Sequence, residues 1–206
     1  MTAITPLGPK VVRCYSHPPL YYFFTLSKTE WSESSPDPAN RMQEYFRVAQ
    51  DTKCDLGVFT GNLLSGTNPN FNTIYRATSE IRRGVVSSSF HPHPQMKILS
   101  GPFVPNTEKD DLGVKFPIFS NHGQADKPTM IQKIKRYLEP QESFVSAGLI
   151  NRFSSHLVNL KVSPFILEKG KTTVALYGIP YMTKFEMRKF LKNRKKEDGK
   201  YEWLRL

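Results

Sequence analysis

Residues 162–192 read VSPFILEKGKTTVALYGIPYMTKFEMRKFLK, and this stretch gives the clearest indication of local structure in the chain. A short apolar run at 164–167 is followed by a turn segment around Gly170 and then by the run at 172–177, which is rich in β-branched and aromatic residues. These residue types favour strands, and glycine suits a left-handed position in a turn. The pattern therefore predicts a β-hairpin.

A helix is predicted directly after this hairpin. Thr183 is a favourable N-cap residue, and Glu186, three positions later, completes a capping box in which each side chain bonds the backbone amide of the other. Met187, Phe190 and Leu191 follow the spacing of one apolar helix face. The spacing therefore predicts a short amphipathic helix.

The opposite side of the predicted helix is basic. Lysine or arginine recurs every four residues there, which aligns the positive charges in one stripe. Such like charges weaken an isolated helix, and a bound polyanion would remove that cost and release counterions. A solvated basic face is the alternative to binding. The residues predicted to bind RNA are Lys184, Arg188, Lys189, Lys192, Arg194, Lys195 and Lys196.

The charge of the whole chain supports a polyanionic partner. Lysine and arginine number 29 against 18 aspartates and glutamates, which gives a formal net charge of +11. Residues 131–206 hold 16 basic and 7 acidic residues, so most of the surplus lies in that part. Nucleic acid is the first candidate for such a partner and an anionic membrane surface the second. No stretch approaches the roughly 18–20 apolar residues that a membrane-spanning helix needs.

The first 128 residues are predicted to be a long, largely irregular N-terminal extension with short elements and loops. Within it, a short helix at 41–48 would bury Met42, Tyr45 and Phe46, which follow the i, i+3, i+4 spacing. The remaining 129–206 are predicted to form a basic α+β RNA-binding domain.

Four further segments complete the prediction. Residues 61–72 are rich in Gly and Asn but lack the lysine of a phosphate-binding loop, so a surface turn is expected. A short element is expected at 73–86. Residues 87–128 contain six prolines and are expected to be irregular. Residues 129–138 are expected to be helical, because their apolar residues share one helix face.

The cysteines and the N-terminal residues indicate which cellular compartment the protein occupies. Cys14 and Cys54 belong to no C-x-x-C pair and are expected to be free thiols in a reducing compartment, with a single disulfide as the alternative. Residues 1–29 contain no acidic side chain, which suits both an organellar transit peptide and an ordinary extended arm.

No enzyme motif is evident. His91 and His93 are flanked by prolines, with no acid or cysteine at ligand spacing, so a surface loop is expected there rather than a zinc site. Nucleophile-elbow, zinc-protease and dinucleotide-binding motifs are absent. The sequence therefore predicts no catalytic residue, no metal site and no cofactor.

The stretch at 174–192 resembles the strand–turn–helix of the universal large-subunit ribosomal protein twenty-three family, especially its mitochondrial members, and the likeness extends over about 162–196. The family's apolar pair is matched by Phe190 and Leu191, and its helix start is matched by Thr183, Lys184, Glu186, Met187 and Arg188. The chain departs from the family after this helix, because only its last few residues could supply a further strand.

This resemblance implies an α+β fold, with a small ribosomal-type strand–turn–helix domain at the C-terminus. It implies a structural, non-enzymatic component of the large subunit of the mitochondrial ribosome. The domain would bind ribosomal RNA near the peptide tunnel exit in the mitochondrial matrix, with ribosomal proteins as neighbours and no small-molecule substrate. Two alternatives stay open: an accessory subunit of a mitochondrial inner-membrane complex, and a ribosomal protein of another family, including one of the small subunit.

Overall fold

The computed structural model describes residues 10–14, 21–26, 38–64, 68–86, 96–102, 114–125, 129–131, 136–153 and 162–192. For the strands at 10–14, 21–26, 129–131 and 136–138 it describes the backbone alone. Within these ranges no helix has both the length and the apolar character that a membrane span requires.

The larger sheet has five strands, and most of its neighbours are parallel. In chain order its strands are β1 (Lys10–Cys14), β2 (Tyr21–Leu26), β3 (Leu56–Phe59), β5 (Ile118–Ser120) and β8 (Asn151–Arg152). The spatial order is β1-β2-β3-β5-β8. β1 and β2 pair antiparallel, whereas every later pair is parallel. Parallel neighbours need a crossover connection, which is usually helical.

Two long helices supply crossovers and cover one face of this sheet. α1 (Pro38–Asp51) joins β2 to β3, and α2 (Phe71–Val85) follows β3. Met42, Tyr45 and Phe46 on α1 are all buried, so the predicted apolar face is confirmed. The side chain of Asn70 caps α2 by accepting a hydrogen bond from the amide of Thr73 at 2.8 Å.

A smaller antiparallel sheet contains the predicted hairpin. Its strands are β4 (Lys97–Ser100), β9 (Phe165–Lys169) and β10 (Thr172–Leu176), in the spatial order β10-β9-β4. β9 and β10 pair antiparallel around Gly170, which has a φ of 60°. The hairpin is therefore confirmed, and Gly170 occupies the left-handed position that glycine tolerates at no steric cost.

Successive side chains along a strand point to opposite faces of the sheet, and in the parallel strands they belong to two separate cores. In β5, Ile118 joins the core under the helices, while the adjacent Phe119 joins a second core with Phe165 and Leu167 of the smaller sheet. In β3, Phe59 lies in the helix-side core and Leu56 in the second core. The described part of the chain is thus a mixed α/β structure of three layers: helices, parallel sheet and antiparallel sheet.

The prediction of a helix at 129–138 is wrong. This segment contains β6 (Thr129–Ile131) and β7 (Arg136–Leu138), which pair antiparallel with each other. Spacing that matches one face of a short helix is also compatible with two three-residue strands, and backbone pairing between the strands takes precedence here.

Two short helices complete the described elements, α3 (Glu142–Ser146) and α4 (Lys184–Lys192). The predicted capping box of α4 is confirmed. The amide of Thr183 donates to the Glu186 carboxylate at 2.6 Å, and the amide of Glu186 donates to the Thr183 hydroxyl at 3.2 Å. A hairpin followed by a capped helix occurs in many folds, so these elements alone do not distinguish a ribosomal-type domain.

Strand pairing also joins residues on the two sides of the predicted domain boundary at 128. β5 pairs with β8, and β4 pairs with β9. In addition, the segment predicted to be irregular, 87–128, contributes one strand to each sheet, β4 and β5.

Candidate functional site

The carboxyl ends of β3, β5 and β8 lie at one edge of the larger sheet, because these strands run parallel. In open α/β sheets this edge is the usual position of ligand-binding sites. Two loops leave the sheet there: 60–64 after β3 and 121–125 after β5. We refer to these two loops together as the sheet-edge loops.

The sheet-edge loops contact each other through their backbones. Gly61 has a φ of 109°, and a Cβ atom at this position would overlap the backbone of Gly123. Asn62, with a φ of 54°, accepts a hydrogen bond from the amide of Ala125 at 2.9 Å through its side-chain oxygen. Non-glycine residues rarely adopt positive φ, and such positions cluster at functional sites.

This packing corrects the expectation of a surface turn at 61–72 for its first part, 61–64, whereas Asn68, Asn70, Phe71 and Asn72 are exposed. Gly61, Leu63 and Leu64 are buried, and both leucines belong to the helix-side core. Glycine and asparagine are frequent in exposed loops, and for this reason their presence predicts a solvent-facing turn. Here they permit the close approach of a second loop.

A buried polar network supports the loop after β5. The Ser120 hydroxyl bonds to the side-chain oxygen of Gln141, and the Gln141 amide donates to the backbone oxygen of Asn121 at 3.2 Å. On the next strand, Asn151 donates to the backbone oxygen of Ile118 at 3.2 Å. Because a buried polar group is costly unless it is hydrogen-bonded, these bonds specify one arrangement of the edge.

An ionic cluster lies beside this network. His122 Nδ1 is 3.2 Å from a Glu139 carboxylate oxygen, and each of these side chains is only 1% exposed. The guanidinium of Arg152, whose side chain is 4% exposed, is 3.7 Å from the same oxygen of Glu139 and also pairs with Glu142. We call His122, Glu139, Arg152 and Glu142 the buried ionic cluster. Buried charges are tolerated in proteins when they are paired in this way.

Some buried atoms near this cluster have no hydrogen-bond partner among the described residues, including Nε2 of His122, Oδ1 of Asn121 and Oε2 of Glu139. Most buried polar atoms in proteins are satisfied by protein groups or by ordered water, so unsatisfied ones call for an explanation. They make this edge the most chemically distinctive part of the described structure.

Metal-ligating residues do not cluster in the described ranges: no three His, Cys, Asp or Glu side chains there are arranged so that they could hold a metal ion. His91 and His93 lie outside the described residues. Cys54 is a buried free thiol, and its burial raises its pKa. For Cys14 the side chain is not described.

The residues predicted to bind RNA are only partly described. Lys184, Arg188 and Lys189 are exposed on α4, whereas the side chain of Lys192 and residues 194–196 lie outside the described part. The amide of Tyr181 donates to the backbone oxygen of His122 at 3.1 Å. Since Tyr181 precedes α4 by three residues, the start of the helix lies within about 10 Å of the loop after β5.

The buried ionic cluster was not predicted from the sequence. One signal was present, because the apolar run at 116–119 ends in Ser120, Asn121, His122 and Gly123, which is typical of a buried strand followed by a loop. The partners Glu139 and Arg152 carry no comparable signal, since each contacts His122 or its neighbours through tertiary structure alone.

Comparison with known proteins gives a consistent result, although no family model matches the chain. Over 150 residues it is 27% identical to the double-strand break repair protein MRE11 of Homo sapiens, covering 67% of this chain and 20% of that protein. It is 28% identical over 151 residues to mre-11 of Caenorhabditis elegans, covering 69% and 20%. It is 25% identical over 170 residues to mus-23 of Neurospora crassa, covering 77% and 22%. The chain therefore spans about a fifth of the length of these relatives, all of which are named as double-strand break repair proteins.

These similarities overturn the resemblance to ribosomal protein twenty-three. That resemblance covered about 162–196 and relied on a strand followed by a capped helix, which is too general a pattern to identify a family. The similarity to repair proteins extends over 145 to 170 residues in the relatives quoted and others like them.

The functional predictions drawn from the ribosomal resemblance are wrong for the same reason. The similarity to repair proteins contradicts a structural role in the mitochondrial ribosome, together with the inner-membrane and other-ribosomal alternatives. It equally contradicts ribosomal RNA and ribosomal proteins as partners, the mitochondrial matrix as location, and the expectation that the chain is not an enzyme.

Proposed function

We propose that this chain is part of an enzyme of DNA double-strand break repair that binds DNA ends and processes them by cleaving phosphodiester bonds. The observation that carries the proposal is the similarity of two thirds or more of the chain to double-strand break repair proteins of an animal and a fungus. The protein would act where chromosomal DNA is located.

The net charge of +11 supports a DNA substrate, because a surplus of this size favours a polyanion as partner. The charge pattern that suggested RNA does not distinguish ribose from deoxyribose, so it fits the phosphates of DNA equally well. The basic stripe is thus reassigned in this proposal from RNA to DNA.

The DNA end would meet the protein at the sheet-edge loops. Parallel sheets bind ligands at the carboxyl ends of their strands, and the contacts between Gly61, Asn62, Gly123 and Ala125 give this edge a fixed shape. Preorganised polar sites of this kind suit catalysis, because little reorganisation is needed when charge develops in a substrate.

The duplex next to the end would contact α4. Lys184, Arg188 and Lys189 are exposed on this helix, and the Tyr181–His122 bond brings its start near the sheet-edge loops. Lysine and arginine contacts to phosphates hold a nucleic acid in position without reading its sequence. This role suits a repair protein, since breaks arise at any sequence.

The first experiment measures binding and cleavage of a labelled blunt-ended duplex. We expect the protein to bind this duplex more tightly than a covalently closed circle of the same sequence, and to release shortened or nicked strands. Cleavage is assayed in Mg²⁺, in Mn²⁺ and in EDTA, so that a requirement for either cation is measured directly. Equal affinity for the closed circle, together with intact strands in all buffers, would refute DNA-end processing.

The second experiment tests the role of α4 against a control variant that loses the same net charge. Replacing Lys184, Arg188 and Lys189 by glutamine should weaken DNA binding. The negative slope of the logarithm of the binding constant against the logarithm of the salt concentration should become shallower by about 0.9 per lost phosphate contact. A control variant with glutamine at Arg76, Arg82 and Arg83, which are exposed on α2, loses the same formal charge. Equal salt slopes in the two triple variants would rule out a specific role for α4.

A further inference from the structure

We propose that Glu139 and Arg152 are positioning residues, which act through His122 to hold the loop at 121–125 in the conformation that receives DNA. The inference rests on the proposed function for its link to DNA. Its structural part concerns the buried ionic cluster alone and can be tested separately.

The hydrogen bond to Glu139 determines which nitrogen of His122 carries the proton. A carboxylate accepts hydrogen bonds, so the proposal assigns the proton of the 3.2 Å contact between His122 and Glu139 to Nδ1. This bond also fixes the plane of the imidazole ring. Carboxylates that orient a functional histidine in this way are a recurrent feature of protein sites.

Arg152 holds the carboxylate that orients the histidine. Its guanidinium contacts both Glu139 and Glu142, so one cation bridges two anions, one just ahead of α3 and one at its first residue. Arg152 itself belongs to β8, at the edge of the parallel sheet. The bridge therefore ties the orientation of His122 to the sheet rather than to a loop.

The position of His122 affects contacts on both sides of the candidate site, at the segment ahead of α4 and at the sheet-edge loops. Its backbone oxygen accepts the hydrogen bond from Tyr181 ahead of α4, and the next residue, Gly123, packs against Gly61 and Asn62. Fixing one imidazole thereby fixes the spacing between the sheet-edge loops and the start of the basic helix.

A positioning role fits the burial of these side chains better than contact with substrate. His122, Glu139 and Arg152 are almost completely inaccessible, so DNA cannot touch them without rearrangement. Small displacements around such residues are costly for function, because bound substrates must be held in a narrow range of geometries.

The test compares Glu139→Gln with Glu80→Gln in the full chain. Glu80 is a matched control, because it is also a buried carboxylate, pairs with Arg83 and Gln43, and lies on α2 away from the sheet edge. Amide hydrogen exchange at 122–125 should become about tenfold faster in Glu139→Gln and stay unchanged in Glu80→Gln. Equal exchange at 122–125 in the wild type and in Glu139→Gln would overturn the proposal.

A spectroscopic readout separates positioning from general stabilisation. In ¹⁵N–¹H spectra of the histidine side chains, with His122→Asn used for assignment, the wild-type protein should show His122 protonated on Nδ1. A proton on Nε2 alone in the wild type would contradict the proposal.

A second pair of variants keeps the test decisive if Glu139→Gln does not fold. Because the single nitrogen Nη1 of Arg152 makes both ion pairs, Arg152→Lys can keep them and should preserve most of the protection at 122–125, whereas Arg152→Met should lose it. Equal exchange in both variants would overturn the role of Arg152. DNA affinity is measured last: a wild type that does not bind DNA refutes the proposed function but leaves the exchange and spectroscopic results to decide the positioning role.

Discussion

The two cores of this molecule are built differently. The helix-side core collects residues from α1, α2, β3, β5 and the α3 region, so many elements share it. The core between the sheets depends mainly on three rings, Phe119, Phe153 and Phe165, whose centroids lie 4.9 to 5.9 Å apart. Around these rings, Leu176 of β10 is only partly buried.

The difference shows that the two cores on either side of one sheet can differ in how many packing contacts support each side chain. Loss of a side chain from the helix-side core leaves many neighbours that can adjust, whereas loss of one ring between the sheets removes two of the three aromatic contacts. We therefore expect mutations in the second core to release the smaller sheet, and mutations in the first to loosen helix packing while the architecture is kept.

The largest effect is expected for Phe165→Ala. This change should lower the free energy of unfolding by about 3–5 kcal/mol, because it leaves a cavity against Phe119 and Phe153. Denaturant unfolding gives the energy, and amide exchange in β4, β9 and β10 reports on the smaller sheet. If these strands stay as protected as α1 and α2, the second core does not depend on single side chains more strongly than the helix-side core does.

An intermediate effect is expected for Gly84→Ala in α2. A Cβ atom there would overlap the ring of Phe46 on α1, so the helices must separate and stability should fall by about 1–3 kcal/mol. Gly170→Ala is the comparison, because its Cβ would meet open space and only the positive φ opposes it. A thermal melt in which Gly170→Ala is the less stable variant would show that backbone conformation outweighs helix packing.

The smallest effect is expected for Thr183→Ala, which lies in neither core. Loss of the capping hydroxyl should cost about 1 kcal/mol and should act on α4 alone. Amide exchange along α4 measures the change, and Thr183→Ser, which keeps the hydroxyl, is the control. A loss of protection in β9 and β10 would mean that α4 is more tightly coupled to the second core than its contacts indicate.

Sequence patterns predicted the elements that local interactions decide. The buried face of α1, the hairpin around Gly170 and the capping box at Thr183 each depend on residues within about one turn or one hairpin of each other. These features recur in many folds, which is why correct local predictions still led to an incorrect family.

The parallel sheet could not be predicted in the same way. β5 has three residues and β8 has two, so neither gives a periodic signal, and each is defined by its neighbours. The buried ionic cluster is equally non-local. His122, Glu139 and Arg152 look like ordinary polar residues until tertiary structure brings them together.

The strand order has a consequence for the way in which the chain folds. β3 lies between two parallel neighbours, and its residue Gly57 pairs with Ile118, which is far along the chain. Closing such loops costs entropy before any distant contact is gained, so the central strand becomes fully paired late. The N-terminal hairpin and the hairpin of β9 and β10 are the segments that can form early. The sheet edge proposed to receive DNA is assembled only when the loops at 60–64 and 121–125 and the segment ahead of α4 have met.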